Sequence, residues 1–185
     1  MVVLASGSPR RQELLKKLCN DFIVEPCNAA EMETAENPAA LAIKNATIKA
    51  ETVAQKHLGD IVIGADTIVV LNGKIFGKPH GERGAVEMLK TLSGKKHEVI
   101  TGLAICTSGK TYTASEVTEV FFGEMTEAEI GAYVATGEPL DKSGSYALQG
   151  GAAKFIRKIN GDWSNVVGLP LYRLRMLAKS IGISF

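Results

Sequence analysis

Residues 61–71 read Ile-Val-Ile-Gly-Ala-Asp-Thr-Ile-Val-Val-Leu, with one carboxylate, Asp66, set between two runs of apolar side chains. The run predicts a central strand, interrupted around Gly64–Thr67 by small and polar residues. Burying a carboxylate without compensation is expensive. Asp66 therefore either meets a divalent ion, a lysine or an attacking water, or it caps a turn at a strand break; Lys49 and Lys78 are the candidate lysines. Asn72-Gly73, directly after the run, predicts a tight two-residue hairpin returning through Lys74–Phe76.

Other elements follow from period and punctuation. Val2–Ala5 is a short apolar run that stops at Ser6-Gly7-Ser8-Pro9, after which Leu14, Leu15 and Leu18 give Arg10–Cys19 a helical stripe. Phe22–Val24 predicts a second strand, Glu25–Asn37 a loop with four glutamates, and the alanine-rich Pro38–Lys56 a helix. Further on, Gly81–Leu92 predicts a helix ended by Ser93-Gly94, and Glu98–Thr107 and Thr111–Phe122 predict strands joined at Ser108-Gly109. Thr126 and Glu129 have capping-box spacing for a helix reaching about Thr136. Gly137–Gly150 reads as a polar loop, Lys154–Ile159 as a strand, and Leu169-Pro170 opens a final helix through Ser180. Helices alternate with strands in the first half and strand pairs enter in the middle, which predicts an α/β fold with a mixed or largely antiparallel twisted sheet flanked by helices.

A chain of 185 residues suits one domain, or two small lobes sharing a cleft. Its 21 lysines and arginines stand against 20 aspartates and glutamates, so no global field draws it to nucleic acid or an anionic membrane, and any anion site is local. Cys19, Cys27 and Cys106 are odd in number and lack a C-x-x-C pair, which predicts reduced thiols. Met1–Ala5 is too short for a signal-peptide core and no run approaches a membrane span; the expectation is a cytoplasmic protein.

Several residues suit phosphate chemistry. Ser6, Ser8, Arg10 and Arg11, with the turn at Gly7, bring two hydroxyls and two guanidiniums to a helix start, a set that satisfies several phosphate oxygens. The alternative is a solvated first turn, because cations are unfavourable at a helix start. No Gly-Lys-Ser or Gly-Lys-Thr ending marks a P-loop. Glu31 is either surface charge beside Glu33 and Glu36 or, with Asp66, one of two carboxylates holding Mg²⁺ or Mn²⁺ against phosphates. His57, His80 and His97 lack metal-site spacing. Pro79 keeps Lys78 on an extended loop, where it either reaches a phosphate or is solvated. Asp141, Lys142, Tyr146 and Gln149 suit base or sugar reading, the alternative being an anchored loop with Tyr146 in the core.

Taken in order, Leu4-Ala5-Ser6-Gly7-Ser8-Pro9-Arg10-Arg11, Gly64-Ala65-Asp66-Thr67, Gly77-Lys78-Pro79, Leu92-Ser93-Gly94, Gly137-Glu138-Pro139-Leu140-Asp141-Lys142 and Val167-Gly168-Leu169-Pro170 resemble the Maf family of nucleotide pyrophosphatases nearly end to end. The resemblance implies one catalytic domain over 1–185, with two lobes around a cleft and an elongated mixed sheet like that of inosine triphosphate pyrophosphatases. It also implies a homodimer that hydrolyses a nucleoside triphosphate between its α and β phosphates with Mg²⁺ or Mn²⁺. Asp66 would be the catalytic carboxylate and Glu31 its partner in metal or water positioning, while Arg10, Lys49 and Lys78 would handle phosphates. Arg11, Thr67 and Gln149 match positions for nucleotide selection, and residues 144–150, Gly-Ser-Tyr-Ala-Leu-Gln-Gly, resemble the dTTP/UTP branch. The chain departs from the family pattern at Ala30-Glu31-Met32, where an acidic-acidic-serine run is common, and at Lys44-Asn45, which replaces an arginine-containing segment.

The expected activity is therefore dTTP and UTP pyrophosphatase, with water attacking a phosphorus and no cysteine or serine nucleophile. Direct metal ligation by Asp66 and strong general-base action pull in opposite directions, which favours water positioning. Two other readings are a house-cleaning pyrophosphatase for modified nucleotides and a nucleotide-binding regulator of cell division with little turnover.

Overall fold

A computed structural model describes all 185 residues, Met1–Phe185. Seven strands are β1 (Val2–Leu4), β2 (Phe22–Val24), β3 (Ile61–Leu71), β4 (Lys74–Phe76), β5 (Lys96–Thr107), β6 (Lys110–Phe122) and β7 (Ile156–Asn160). Six helices are α1 (Pro9–Leu15), α2 (Pro38–Ala54), α3 (Gly81–Leu92), α4 (Glu127–Val134), α5 (Trp163–Val167) and α6 (Leu171–Ser180). The strands form one sheet in the order β2-β1-β3-β5-β6-β7, with β4 paired to β3. β1 is parallel to both β2 and β3, whereas β4 on β3 and β7 on β6 are antiparallel. This is the mixed α/β architecture the element pattern predicts.

β3 is one unbroken strand of 11 residues, so the small and polar residues at its middle do not interrupt it. Asp66 thus sits within a hydrogen-bonded strand and caps no turn. Asn72 and Gly73, at φ 51° and 78°, close the predicted hairpin. α1 stops at Leu15, short of the expected Cys19, and continues as turns. Residues 137–150 are not irregular throughout, since 3-10 turns form at Glu138–Asp141 and Ser143–Ser145. A third such turn, Gly151–Phe155, moves the start of β7 to Ile156, and α5 is a helix the sequence pattern did not announce. No helix is long and apolar enough to cross a membrane.

The chain divides into two compact units: one of Met1–Thr67, Ile100–Glu116 and Ser164–Phe185, the other of Ile68–Val99 and Val117–Trp163. In the first, a core of Val3, Ala5, Ala46, Ala50, Val53, Val62, Ala104 and Cys106 is built largely from small side chains. Their smallness has a cause. A Cβ on Gly64 would lie 2.2 Å from the Ala46 carbonyl oxygen, and one on Gly102 would lie 2.2 Å from the Ala42 carbonyl carbon. Bare backbone at these two points lets α2 settle directly on the sheet. In the second unit, His97, Phe122 and Tyr146 pack edge to face with centroids 4.8–5.4 Å apart.

Candidate active site

Close approach of α2 to the sheet brings polar side chains of the helix onto β3. Asn45 and Lys49, one turn apart, lie on the same face of α2. Lys49 Nζ stands 2.7 Å from Asp66 Oδ1 and 2.7 Å from Glu31 Oε1. The ammonium resolves the problem posed by Asp66, which is only 7% exposed: of the two candidate lysines, Lys49 makes the ion pair. Glu31, more than half exposed on its loop, joins the same ammonium. The two carboxylates the sequence singled out are thereby brought to one cation.

Two carboxylates meeting at one ammonium offer hard oxygen donors, the donor chemistry that Mg²⁺ and Mn²⁺ take. Nowhere do three or more histidine, cysteine, aspartate or glutamate side chains form a metal-holding group. Asp66 and Glu31 are the two carboxylates here that could hold a divalent ion.

The Ser6–Arg11 turn lies in the same unit. Ser6 Oγ accepts from the Ser8 N–H at 3.3 Å and from Arg11 Nη1 at 3.2 Å. With both lone pairs occupied, its remaining capacity is the hydroxyl proton, a donor suited to a phosphate oxygen. The Ser8 amide is thereby spent on Ser6. Arg11 also donates from Nε to the Gly168 carbonyl at 2.8 Å and from Nη2 to Thr67 Oγ1 at 3.0 Å. Three of the five N–H groups of its guanidinium are thus committed to protein. Burial pushes the Arg11 guanidinium below its ordinary value, opposed by Asp66, with Arg10 adding to the depression and Glu31 opposing it. The Thr67 hydroxyl continues the chain to Thr101 at 2.9 Å, and Thr101 donates to the Asn165 carbonyl at 3.2 Å. Arg10, half-buried on the first turn of α1, makes no hydrogen bond or ion pair with protein.

The other predicted residues belong to the second unit. Lys78 is exposed on the loop after β4, and Gln149 is exposed near the end of the polar loop; neither is tied to a protein partner. Lys142 is spent locally, at 2.6 Å from the Glu138 carbonyl and 2.7 Å from Asp141 Oδ1. Tyr146 is a core residue rather than a stacking face: it is buried, and its hydroxyl meets His97 Nε2 at 2.8 Å. Tyr133 Oη accepts from the Ala147 N–H at 3.1 Å, and Glu138 Oε2 from the Gly151 N–H at 2.8 Å. The loop bearing Gln149 is therefore held from beneath by an aromatic cluster and at its end by a carboxylate.

Residue reasoning did not select Asn45 or Thr101. For Asn45 a signal was available: a lone amide in an alanine-rich helix, one turn before the candidate lysine.

Comparison with known proteins adds a lineage to this geometry. The family model described as Maf-like protein matches residues 1–181. A dTTP/UTP pyrophosphatase of Bacillus cereus (strain AH820) is 48% identical over 183 residues, covering 98% of this chain and 96% of that relative. One of Bacillus cytotoxicus is 50% identical over 173 residues, covering 93% and 91%. Among solved structures, the Staphylococcus aureus Ham1 protein aligns with a TM-score of 0.45 at 18% identity, over 83% of this chain and 90% of that one.

Proposed function

Because the chain belongs to the Maf family, we propose that it hydrolyses dTTP and UTP to the nucleoside monophosphate and pyrophosphate. The observation that carries this reading is the array in which buried Asp66 and exposed Glu31 meet at the Lys49 ammonium. Relatives at 48% and 50% identity that bear the name dTTP/UTP pyrophosphatase support the choice of substrate.

In this reading, the Ser6 hydroxyl and the uncommitted Arg10 guanidinium bind phosphate oxygens through charge-assisted bonds, with Ser8 beside them. Lys49 has one N–H left beyond its two carboxylates and gives it to the same charge. Asp66 has Oδ1 on Lys49, and Oδ2 keeps the acceptor capacity that orients a water for attack on phosphorus. Asp66 and Glu31 are the residues that would hold Mg²⁺ or Mn²⁺; when bound, the ion offsets negative charge on the phosphate chain. Lys78 supplies a further point charge to phosphate, and Arg11, Thr67, Asp141, Lys142 and Gln149 set nucleotide preference, Arg11 and Lys142 through the contacts that fix their neighbours. A cytoplasmic homodimer is the form that goes with this reading, on the strength of family resemblance.

The test is a metal-dependent pyrophosphate-release panel over canonical and modified nucleoside triphosphates. Pyrophosphate from dTTP or UTP is expected, with Asp66→Asn slower by at least roughly 100-fold, the lower scale for a positioned acid–base group. Release of orthophosphate, or full activity in the variant, refutes the reading. Preference for a modified base would make the enzyme a house-cleaning one, and tight dTTP binding without turnover would make it a regulator.

A further inference from the structure

Glu31 lies in the loop between β2 and α2, without regular secondary structure of its own, yet its carboxylate reaches Lys49 at 2.7 Å. What fixes that loop is the next residue. The N–H of Met32 donates to Asn45 Oδ1 at 2.7 Å, and Asn45 Nδ2 donates to the Met32 carbonyl at 3.1 Å. One amide side chain thus pairs with both backbone groups of a single residue, as a neighbouring strand would. The same Nδ2 lies 3.4 Å from Asp66 Oδ2. Asn45 is only 3% exposed, so on its side of the pairing water does not readily take the place of the Met32 backbone.

We propose that Asn45 is a positioning residue of the active site, holding the Glu31 segment against the Lys49–Asp66 pair. The inference rests on the reading of Asp66, Lys49 and Glu31 as catalytic groups. Its chemistry is specific: the site requires a donor and an acceptor on one planar group, at the reach of one methylene from α2. Asparagine has both; leucine has the shape and neither, and alanine has neither shape nor partner.

Two measurements decide it. The first is hydrogen exchange of the Met32 amide in the substrate-free protein. Asn45→Leu should speed it at least roughly tenfold while amides at the centre of α2 keep their protection. Unchanged exchange at Met32 overturns the proposal. The second is a kinetic cycle with Glu31→Gln, read as pyrophosphate release. Asn45→Leu should lower kcat by roughly 10–100-fold, the scale of losing a residue that orients a catalytic ligand, with KM little changed. The double variant should be no slower than Glu31→Gln alone, because the amide acts through Glu31. Losses that multiply, or a Glu31→Gln protein of full activity, overturn it. Asn45→Ala serves the same cycle should Asn45→Leu not fold. A wild-type protein that releases no pyrophosphate defeats the functional reading, and the exchange measurement then decides alone whether Asn45 holds the segment.

Discussion

Asp66 depends on a single ammonium for its place inside the sheet, with the side chains of Lys49 and Asp66 12% and 10% exposed. Removing that ammonium leaves a buried carboxylate with one long amide contact. Lys49→Met is therefore expected to cost about 3 kcal/mol of stability by urea denaturation, and adding Asp66→Asn should recover most of it, since the charge that lacked a partner is gone. A buried histidine titrates. His97 is 1% exposed, and burial lowers its pKa from the ordinary 6.5 to about 4. Its neutral form is the native one, so the stability it contributes is complete above pH 6.5 and is lost as pH falls towards 4. That loss amounts to about 3 kcal/mol. Unfolding midpoints measured across this window should fall for the wild type and flatten for His97→Gln. Asp66 itself was evident from the apolar runs on either side of it. Which lysine meets it was not, because Lys49 and Lys78 look alike until α2 is placed on β3.

The contact between α2 and the sheet exists because Gly64 and Gly102 present no side chain to the helix. A methyl group at Gly102 would overlap the Ala42 backbone, where no flexible side chain can yield. Gly102→Ala is expected to lower stability by about 3 kcal/mol and to reduce turnover, since the helix it displaces carries Asn45 and Lys49; thermal melting and the pyrophosphate assay report the two effects. At α4 the predicted capping box is present: Thr126 Oγ1 accepts from the Glu129 N–H, and Glu129 Oε2 accepts from the Thr126 N–H. Thr126→Ala should cost about 1 kcal/mol and leave turnover unchanged. Elements with strong local signals were legible: α2 from alanine and its proline start, the hairpin from Asn72-Gly73, α3 from its Ser93-Gly94 stop. α1 ran shorter than its leucine spacing, and α5 went unseen, since five residues hold too few turns for a period to register.

A formal charge of +1 on 185 residues gives the whole molecule no net field drawing it to nucleic acid. No retention of single- or double-stranded nucleic acid is expected at low ionic strength, by fluorescence anisotropy, whereas nucleotide affinity should weaken as salt rises, because its partners are local charges. At this scale the sequence alone determined the α/β class and the ordered motifs of the Maf family, and it singled out Asp66, Glu31, Lys49 and Arg10 as candidates for its chemistry. Those conclusions rest on apolar period, turn residues and motif order, all written along the chain. Only the tertiary structure decided that Lys49 joins Asp66 to Glu31, that Arg11 spends its fork on Ser6, Thr67 and Gly168, that Tyr146 belongs to the core, and that Asn45 pairs with Met32. Each of these depends on a distance between segments remote in sequence, and such distances are set by how closely helix and sheet can approach.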